Sequence, residues 1–341
     1  MGRITIIGAG FMGSSLSIPA TDNGHTAALW GTHLDGHIIA ALRAHQPHPK
    51  LGIHMPERVH PYAKEELAAA LEGADLVILA VISEAALPVL ERARPFLPPD
   101  VPLAVVSKGL VDWSGRVVTI STAIAAMGVS HVVTIGGPSK ALELAWRVPT
   151  RVLYASPNVR ARQQAREWFQ TSYYRVDESD DQQGLELCSA LKNAYAIAIG
   201  LCDGLVAARR AEAMYNTKAA LFAQALVEME RLGRQVHLQP ATLHALGGAG
   251  DLFVTAVAGR NRKFGELRGS GLPTAAVVEL LQAQDELTEG YGAIRWCWRY
   301  ASESGVQDLP LLRALHRIVY EDQDVETELR AACFVPGGRS P

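Results

Sequence analysis

The chain has 341 residues, with 32 Lys and Arg against 35 Asp and Glu, for a formal charge of −3. At about 150 residues per domain this length predicts two domains, or one large domain with an appendage. The near-neutral balance gives no field that would gather nucleic acid or an anionic membrane, so a general polyanion binder is excluded, while 48% apolar and 20% charged residues suit a chain with a sizeable core.

Short apolar runs rich in β-branched residues predict strands at 3–8, 26–30, 76–81, 102–107, 132–135, 151–154 and 173–176. Between them, helical periodicity predicts helices over 12–23, 64–72, 84–94, 115–127 and 158–169. Such alternation, with strands apolar nearly throughout, implies a parallel sheet covered on both faces by helices. Pro19 falls inside the first helix and is expected to kink it or end it early. The acidic run Asp177-Glu178-Ser179-Asp180-Asp181 reads as a solvated helix entry, after which strand-like alternation stops. Segments 183–200, 212–232, 274–281, 293–303 and 310–321 suit helices, so the expected division is an α/β domain over 1–179 and an all-helical domain over 180–341.

Cys188, Cys202, Cys297 and Cys333 are widely spaced and contain no C-x-x-C pair, which predicts reduced thiols and neither a metal site nor a disulfide framework. No run reaches the roughly 18 uncharged apolar residues that span a bilayer. The N-terminus lacks a small-residue cleavage site. A cytoplasmic protein without membrane or nucleic-acid partners is expected.

Gly8-Ala9-Gly10-Phe11-Met12-Gly13 directly follows the first strand and opens the first helix. The first glycine permits a tight turn, the second lets backbone approach a pyrophosphate, and the third lets helix and strand pack closely. With Ser14 just beyond, the segment is expected to hold a dinucleotide at a helix N-terminus. An acid at the end of the second strand would hold the ribose 2′-hydroxyl of NAD. Here that strand ends Leu29-Trp30-Gly31-Thr32-His33, and the first acid, Asp35, comes late. Its absence removes repulsion against a 2′-phosphate that Thr32 and His33 could hydrogen-bond, so the cofactor is NAD or NADP with a lean to NADP.

In the second half, Lys192 is the one charge in the apolar stretch 187–200. A buried ammonium is either partnered by an anion or shifted toward neutrality, and both states suit acid–base chemistry; a lysine that reaches solvent along its stem is the equal alternative. Gly250-Asp251-Leu252 delivers a carboxylate to a helix start, where capping is the simpler reading. Arg260-Asn261-Arg262-Lys263 could grip one phosphate, although a solvated basic face is favoured from this segment alone. Ser107-Lys108-Gly109 and Gly136-Gly137-Pro138-Ser139 follow strands at the sheet edge where open α/β sheets bind ligands, or are turn chemistry only.

Taken in this order, these residues resemble the NAD(P)-dependent sn-glycerol-3-phosphate dehydrogenase family. Gly8 to Gly13, Ser107-Lys108-Gly109, Gly137-Pro138-Ser139 with Glu143 and Pro149-Thr150, Leu191-Lys192-Asn193, Gly250-Asp251-Leu252, Arg260-Asn261-Arg262 with Phe264-Gly265, and Glu289-Gly290-Tyr291 carry the resemblance along nearly the whole chain. It implies a Rossmann-like domain, a helical domain, and hydride transfer between NAD(P)H and C2 of dihydroxyacetone phosphate or sn-glycerol 3-phosphate. By position Lys192 is implied as proton donor and acceptor, Asp251 as its orienting group and Asn193 as a substrate contact, with Arg260 and Asn261 on the substrate phosphate. Lys108, Gly137 and Ser139 are implied to line a shared substrate and cofactor cleft. Gly8, Gly10, Phe11, Met12, Gly13, Ser14, Thr32, Lys108, Ala141, Arg260 and Glu289 are implied on the cofactor, in a homodimer acting on a small phosphorylated molecule.

Gly259 stands where the family usually has serine, Lys140 replaces a common aromatic residue, and Ala223-Gln224-Ala225 replaces a usual Thr-Arg-Gly. A related two-domain dehydrogenase of another phosphorylated ketone or hydroxy acid, and a non-catalytic NAD(P) sensor, are the alternatives.

Overall fold

In a computed structural model, which describes residues 1–209, 213–284, 286 and 289–334, the chain divides into two compact units. One comprises Met1–Val111 with Thr119–Glu186, the other Asp112–Val118 with Leu187–Pro341.

Ten strands are described: β1 (Arg3–Ile7), β2 (Thr26–Trp30), β3 (Val59–Tyr62), β4 (Leu76–Leu79), β5 (Leu103–Val105), β6 (Leu110–Trp113), β7 (Arg116–Thr119), β8 (Val132–Gly136), β9 (Thr150–Ala155) and β10 (Tyr174–Ser179). Eight form one sheet in the order β10-β9-β8-β5-β4-β1-β2-β3. Every residue of β4, and Ile4 to Ile7 of β1, is buried, as central strands covered on both faces must be. Ile4, Ile6, Leu29, Ile78, Tyr154 and Phe169 belong to the core they build. Sequence order reverses at β1, which pairs in parallel with both β2 and β4. This is the switch point beside which open α/β sheets bind ligands, and the glycine turn leaves β1 there.

The sheet departs from the all-parallel expectation at one pairing: β9 runs antiparallel to β8, and β10 continues parallel to β9. The connection from β8 to β9 carries only the five-residue helix Ala141–Ala145, too short to cross the sheet and bring the next strand back in parallel.

The helix expected over 115–127 is instead β7 followed by the shorter helix Ile120–Ala126. Ser114 and Gly115 have φ of +53° and +81°, the left-handed pair that a two-residue hairpin turn between β6 and β7 requires. Within the second unit, Asp112 of this hairpin pairs with Arg299 at 2.7 Å, and the Val117 N–H donates to Glu303 at 2.8 Å.

Pro19 does not end the first helix, which runs Phe11–Asp22. Hydroxyls along it return hydrogen bonds to the backbone near the missing N–H: Ser17 to the Ser14 carbonyl at 2.7 Å and Thr21 to the Ser17 carbonyl at 2.9 Å. The acidic run is not a helix entry throughout either. Asp177 to Ser179 finish β10, and Asp181 then accepts the Gly184 N–H at 3.0 Å as the helix begins.

That helix, Gln182–Arg209, is the longest in the chain's described residues. Its span 182–208 is long and apolar enough to cross a membrane, yet 78% of its most apolar window is buried inside the protein. Gly200 and Gly204 let it meet helix Arg260–Gly269 backbone to backbone: a Cβ on Gly200 would stand 2.0 Å from the Arg262 carbonyl oxygen, and one on Gly204 2.1 Å from that of Glu266. Gly265 and Gly269 answer from the other helix against the Ile197 and Leu201 carbonyls. This crossing sets Arg260 and Asn261 beside the stretch that carries Lys192 and Asn193.

Other helices of the second unit include Tyr215–Gly233, Pro240–His244, Asp251–Val257, Thr274–Ala283, Glu289–Glu303, Pro310–Tyr320 and Val325–Phe334. Position 212, where the expected helix 212–232 starts, lies outside the described residues. Buried Glu228 accepts the Leu311 and Leu312 N–H groups at 2.6 and 2.9 Å and the Tyr195 hydroxyl at 3.0 Å. A carboxylate there satisfies the open donors of helix Pro310–Tyr320 and complements its dipole.

Candidate active site

In the first unit, Gly8 has φ +114°, and a Cβ on it would stand 2.5 Å from the Ala80 carbonyl oxygen at the end of β4. A Cβ on Gly13 would stand 2.0 Å from the Gly8 carbonyl oxygen, whereas one on Gly10 would meet nothing within 4 Å. The outer glycines are thus consumed by the turn and by helix–strand packing, and the middle one faces open space. No side chain caps helix Phe11–Asp22, and no acid lies in its first turn. Open backbone donors with room before them fit a pyrophosphate. Phe11 is partly exposed, Met12 packs against the core, and Ser14 is fully buried with its hydroxyl on the Ala9 carbonyl at 3.0 Å. Ser14 therefore holds the turn from beneath.

Thr32 differs from expectation. Its N–H and hydroxyl donate to Asp35 at 2.8 and 2.7 Å, and its Oγ1 accepts the Leu34 N–H at 3.2 Å. A three-residue turn folds the late acid back onto Thr32, so the hydroxyl hydrogen expected for a 2′-phosphate is already committed. His33 next to it remains exposed.

Lys108 and Gly137 follow the adjacent strands β5 and β8, and the structure brings them together: Lys108 Nζ donates to the Gly137 carbonyl at 3.3 Å. Ser139 lies on the same loop. Ala141 opens the short helix after it, and its carbonyl accepts the Ser15 hydroxyl at 2.8 Å.

In the second unit, Lys192 and Asp251 are both buried and form a hydrogen-bonded ion pair. Asp251 does not cap its helix. Gly250 takes the cap position, and Asp251 is the first residue of helix Asp251–Val257. The preceding turn is wide, with the Gly250 N–H on the Ala245 carbonyl five residues back at 2.9 Å, a form often found at functional positions. Gly248 permits it, since a Cβ there would stand 2.2 Å from the Leu243 carbonyl oxygen.

Asn193, the next residue along the long helix, donates to Glu289 at 3.2 Å and accepts from Asn261 at 3.0 Å. The Asn261 oxygen in turn accepts the Gly290 N–H at 2.8 Å. Asn261 is buried, so its side chain braces Asn193 and the start of helix Glu289–Glu303. The basic run does not act as one cluster. Arg262 is bound by Asp203 at 2.7 Å, which also takes Lys218, and Lys263 by Glu286 at 2.7 Å. Arg260 stands exposed at the first turn of its helix and makes no ion pair among the described residues. Gly259 before it has φ +155° and ψ 172°, a region essentially reserved for glycine, which gives the departure from serine a backbone cause.

An α/β unit with a dinucleotide-ready glycine turn, followed by a helical unit holding a buried lysine–aspartate pair, is the build of a two-domain nicotinamide-dependent dehydrogenase. Residues 3–162 match the model of the NAD-dependent glycerol-3-phosphate dehydrogenase N-terminus and residues 181–330 that of its C-terminus, so the chain belongs to that family. It is 36% identical over 330 residues to an NADP(+)-dependent glycerol-3-phosphate dehydrogenase of Archaeoglobus fulgidus, covering 96% of this chain and 97% of that one. Identity to a glycerol-3-phosphate dehydrogenase [NAD(P)+] of Geobacillus thermodenitrificans is 33%, covering 95% and 92%. Among solved structures, glycerol-3-phosphate dehydrogenase from Coxiella burnetii superposes with a TM-score of 0.84 at 30% identity, over 96% of this chain and 98% of that one.

Proposed function

We propose that Lys192 is the proton donor and acceptor in the NAD(P)-dependent interconversion of dihydroxyacetone phosphate and sn-glycerol 3-phosphate, the activity that membership of this family assigns to the chain. The observation that carries this reading is the buried pairing of Lys192 with Asp251. Bound nicotinamide supplies or takes up the hydride. In the reducing direction the Lys192 ammonium stabilises the negative charge that develops on the C2 oxygen and then gives that oxygen a proton. In the oxidising direction Lys192 accepts the proton. Asp251 holds the ammonium in place, and Asn193, fixed by Asn261 and Glu289, offers an oriented amide to the substrate.

The backbone of Gly8, Gly10, Phe11, Met12 and Gly13 is assigned to the pyrophosphate, and Lys108, Gly137, Ser139 and Ala141 to substrate and cofactor binding. Glu289 is kept on the cofactor side. Asp35 is turned onto Thr32, so its carboxylate is engaged by that turn instead of standing at the strand end as the acid clamp for a ribose 2′-hydroxyl. Either dinucleotide suits this strand end, and NADP is the proposed preference. A cytoplasmic homodimer completes the reading; free thiols at Cys188, Cys202, Cys297 and Cys333 suit a reducing compartment.

Arg260 is assigned to the substrate phosphate, as the exposed, unpaired member of the basic run. Arg260→Ala is expected to raise KM for dihydroxyacetone phosphate about 10- to 100-fold, the worth of a charge-assisted fork. With unphosphorylated dihydroxyacetone, kcat/KM should change little. Equal losses on both substrates would move the phosphate contact elsewhere.

A further inference from the structure

His48 has no part in the chemistry above, yet it is fully buried against the glycine turn. Its Nδ1 accepts the Lys50 and Leu51 N–H groups at 3.1 and 3.2 Å. With that lone pair occupied, the ring hydrogen of the neutral imidazole sits on Nε2. Nε2 lies 2.9 Å from Ser14 Oγ and 3.4 Å from the Ala9 carbonyl oxygen. Ser14 Oγ, receiving the imidazole hydrogen, spends its own on Ala9 at 3.0 Å. The result is a directed chain from the 48–52 turn through His48 and Ser14 to the Ala9 carbonyl. Burial holds the imidazole below its ordinary pKa, so the neutral tautomer that the chain needs is retained.

We infer that His48 is the positioning residue of the cofactor loop, and that it acts by fixing the orientation of the Ala9–Gly10 peptide. In a trans peptide the carbonyl and the following N–H point to opposite sides of one plane, and the described residues contain no cis bond. The Ser14 hydroxyl, aimed inward onto the Ala9 oxygen by His48, therefore turns the Gly10 N–H outward, away from Ser14 and His48. The space around Gly10 on the open side of the turn is clear. Free of this tether, the peptide could rotate at lower cost because Gly10 on one side of it carries no Cβ, and the donor would be lost to a bound diphosphate. The 48–52 turn is itself anchored, since Leu51 packs on Ile18 of helix Phe11–Asp22, so the chain spans two fixed points. The inference rests on the reading of 8–13 as the dinucleotide loop.

Two substitutions divide the ring. Asparagine at 48 places an oxygen near Nδ1 and keeps the two backbone N–H groups satisfied, but cannot reach Ser14. Glutamine places an amide nitrogen near Nε2 and leaves those N–H groups open. In fluorescence titrations with NADH and NADPH, H48N is expected to bind each about tenfold more weakly than wild type, the loss of one buried hydrogen bond, with its melting temperature little changed. H48Q should keep affinity within about threefold while melting earlier. Wild-type affinity in a folded H48N, or equal losses in both variants, overturns the inference. If H48N does not fold, Ser14→Ala cuts the same link from the other end, and unchanged nucleotide binding there overturns it equally. A wild-type protein that binds neither nucleotide refutes the dinucleotide reading of the loop instead.

Discussion

Replacing Lys192 by alanine is expected to lower kcat about 10³-fold, within the range that a positioned general acid contributes, and to leave NAD(P)H binding nearly intact. In the proposed role the variant loses two things at once: the charge that faces the developing alkoxide and the proton that the alkoxide receives. Lys192→Arg should recover little, because a guanidinium keeps the charge but does not give up its proton at any working pH. Steady-state kcat and a separate nucleotide titration read the two parts independently. Turnover within tenfold of wild type in the alanine variant would remove Lys192 from the chemistry.

The second large effect is expected at Asp251. Asp251→Ala leaves a buried ammonium without its anion, a change that costs about 3–5 kcal/mol in comparable buried pairs. At about 2–4 °C per kcal/mol for a unit of this size, the melting temperature should fall by about 6–20 °C. Asp251→Asn retains the shape and separates positioning from stability. With the Asp251 charge removed, desolvation weighs more heavily against the ammonium form of Lys192, so reduction of the ketone, which in the proposed role needs that form, should fail at a lower pH than in wild type. The alkaline limb of the kcat–pH profile for reduction is the measurement, and an unmoved limb would leave Asp251 a purely structural role.

How much of this was legible in the residues depends on how local the determining physics is. The glycine turn could be read because its geometry is a backbone property of six consecutive residues: Gly8 takes the positive φ, Gly13 packs on the Gly8 carbonyl, and Gly10 borders open space. Strand and helix alternation was equally local. The β6–β7 hairpin was not recognised, although Ser114-Gly115 between β-branched runs is its signal; the helical pattern starting at Gly115 masked it. The antiparallel entry of β9 follows from the shortness of one connection and leaves no trace in the strand itself.

At the active residues, sequence alone left Lys192 poised between an anion partner and a route to solvent, because its partner is 59 positions away. Family resemblance resolved what periodicity could not. What the sequence did not show are the contacts these side chains make with residues distant in the chain. Arg262 is taken by Asp203, Asn261 by Asn193 and Gly290, and Arg260 makes no ion pair among the described residues. Thr32 is occupied by an acid three residues on, a turn that strand periodicity does not register. His48 carried no signal at all: a histidine in a loop of prolines becomes informative only when Ala9 and Ser14 are found around it.

The central claim is that this chain reduces dihydroxyacetone phosphate at the expense of a nicotinamide cofactor. Oxidation of NADH and NADPH followed side by side at 340 nm, with dihydroxyacetone phosphate as substrate and glycerol 3-phosphate assayed as product, tests it most directly. Consumption of either cofactor matched mole for mole by glycerol 3-phosphate, with NADPH used the more efficiently, is the predicted result. Binding of both cofactors without consumption of either would contradict it.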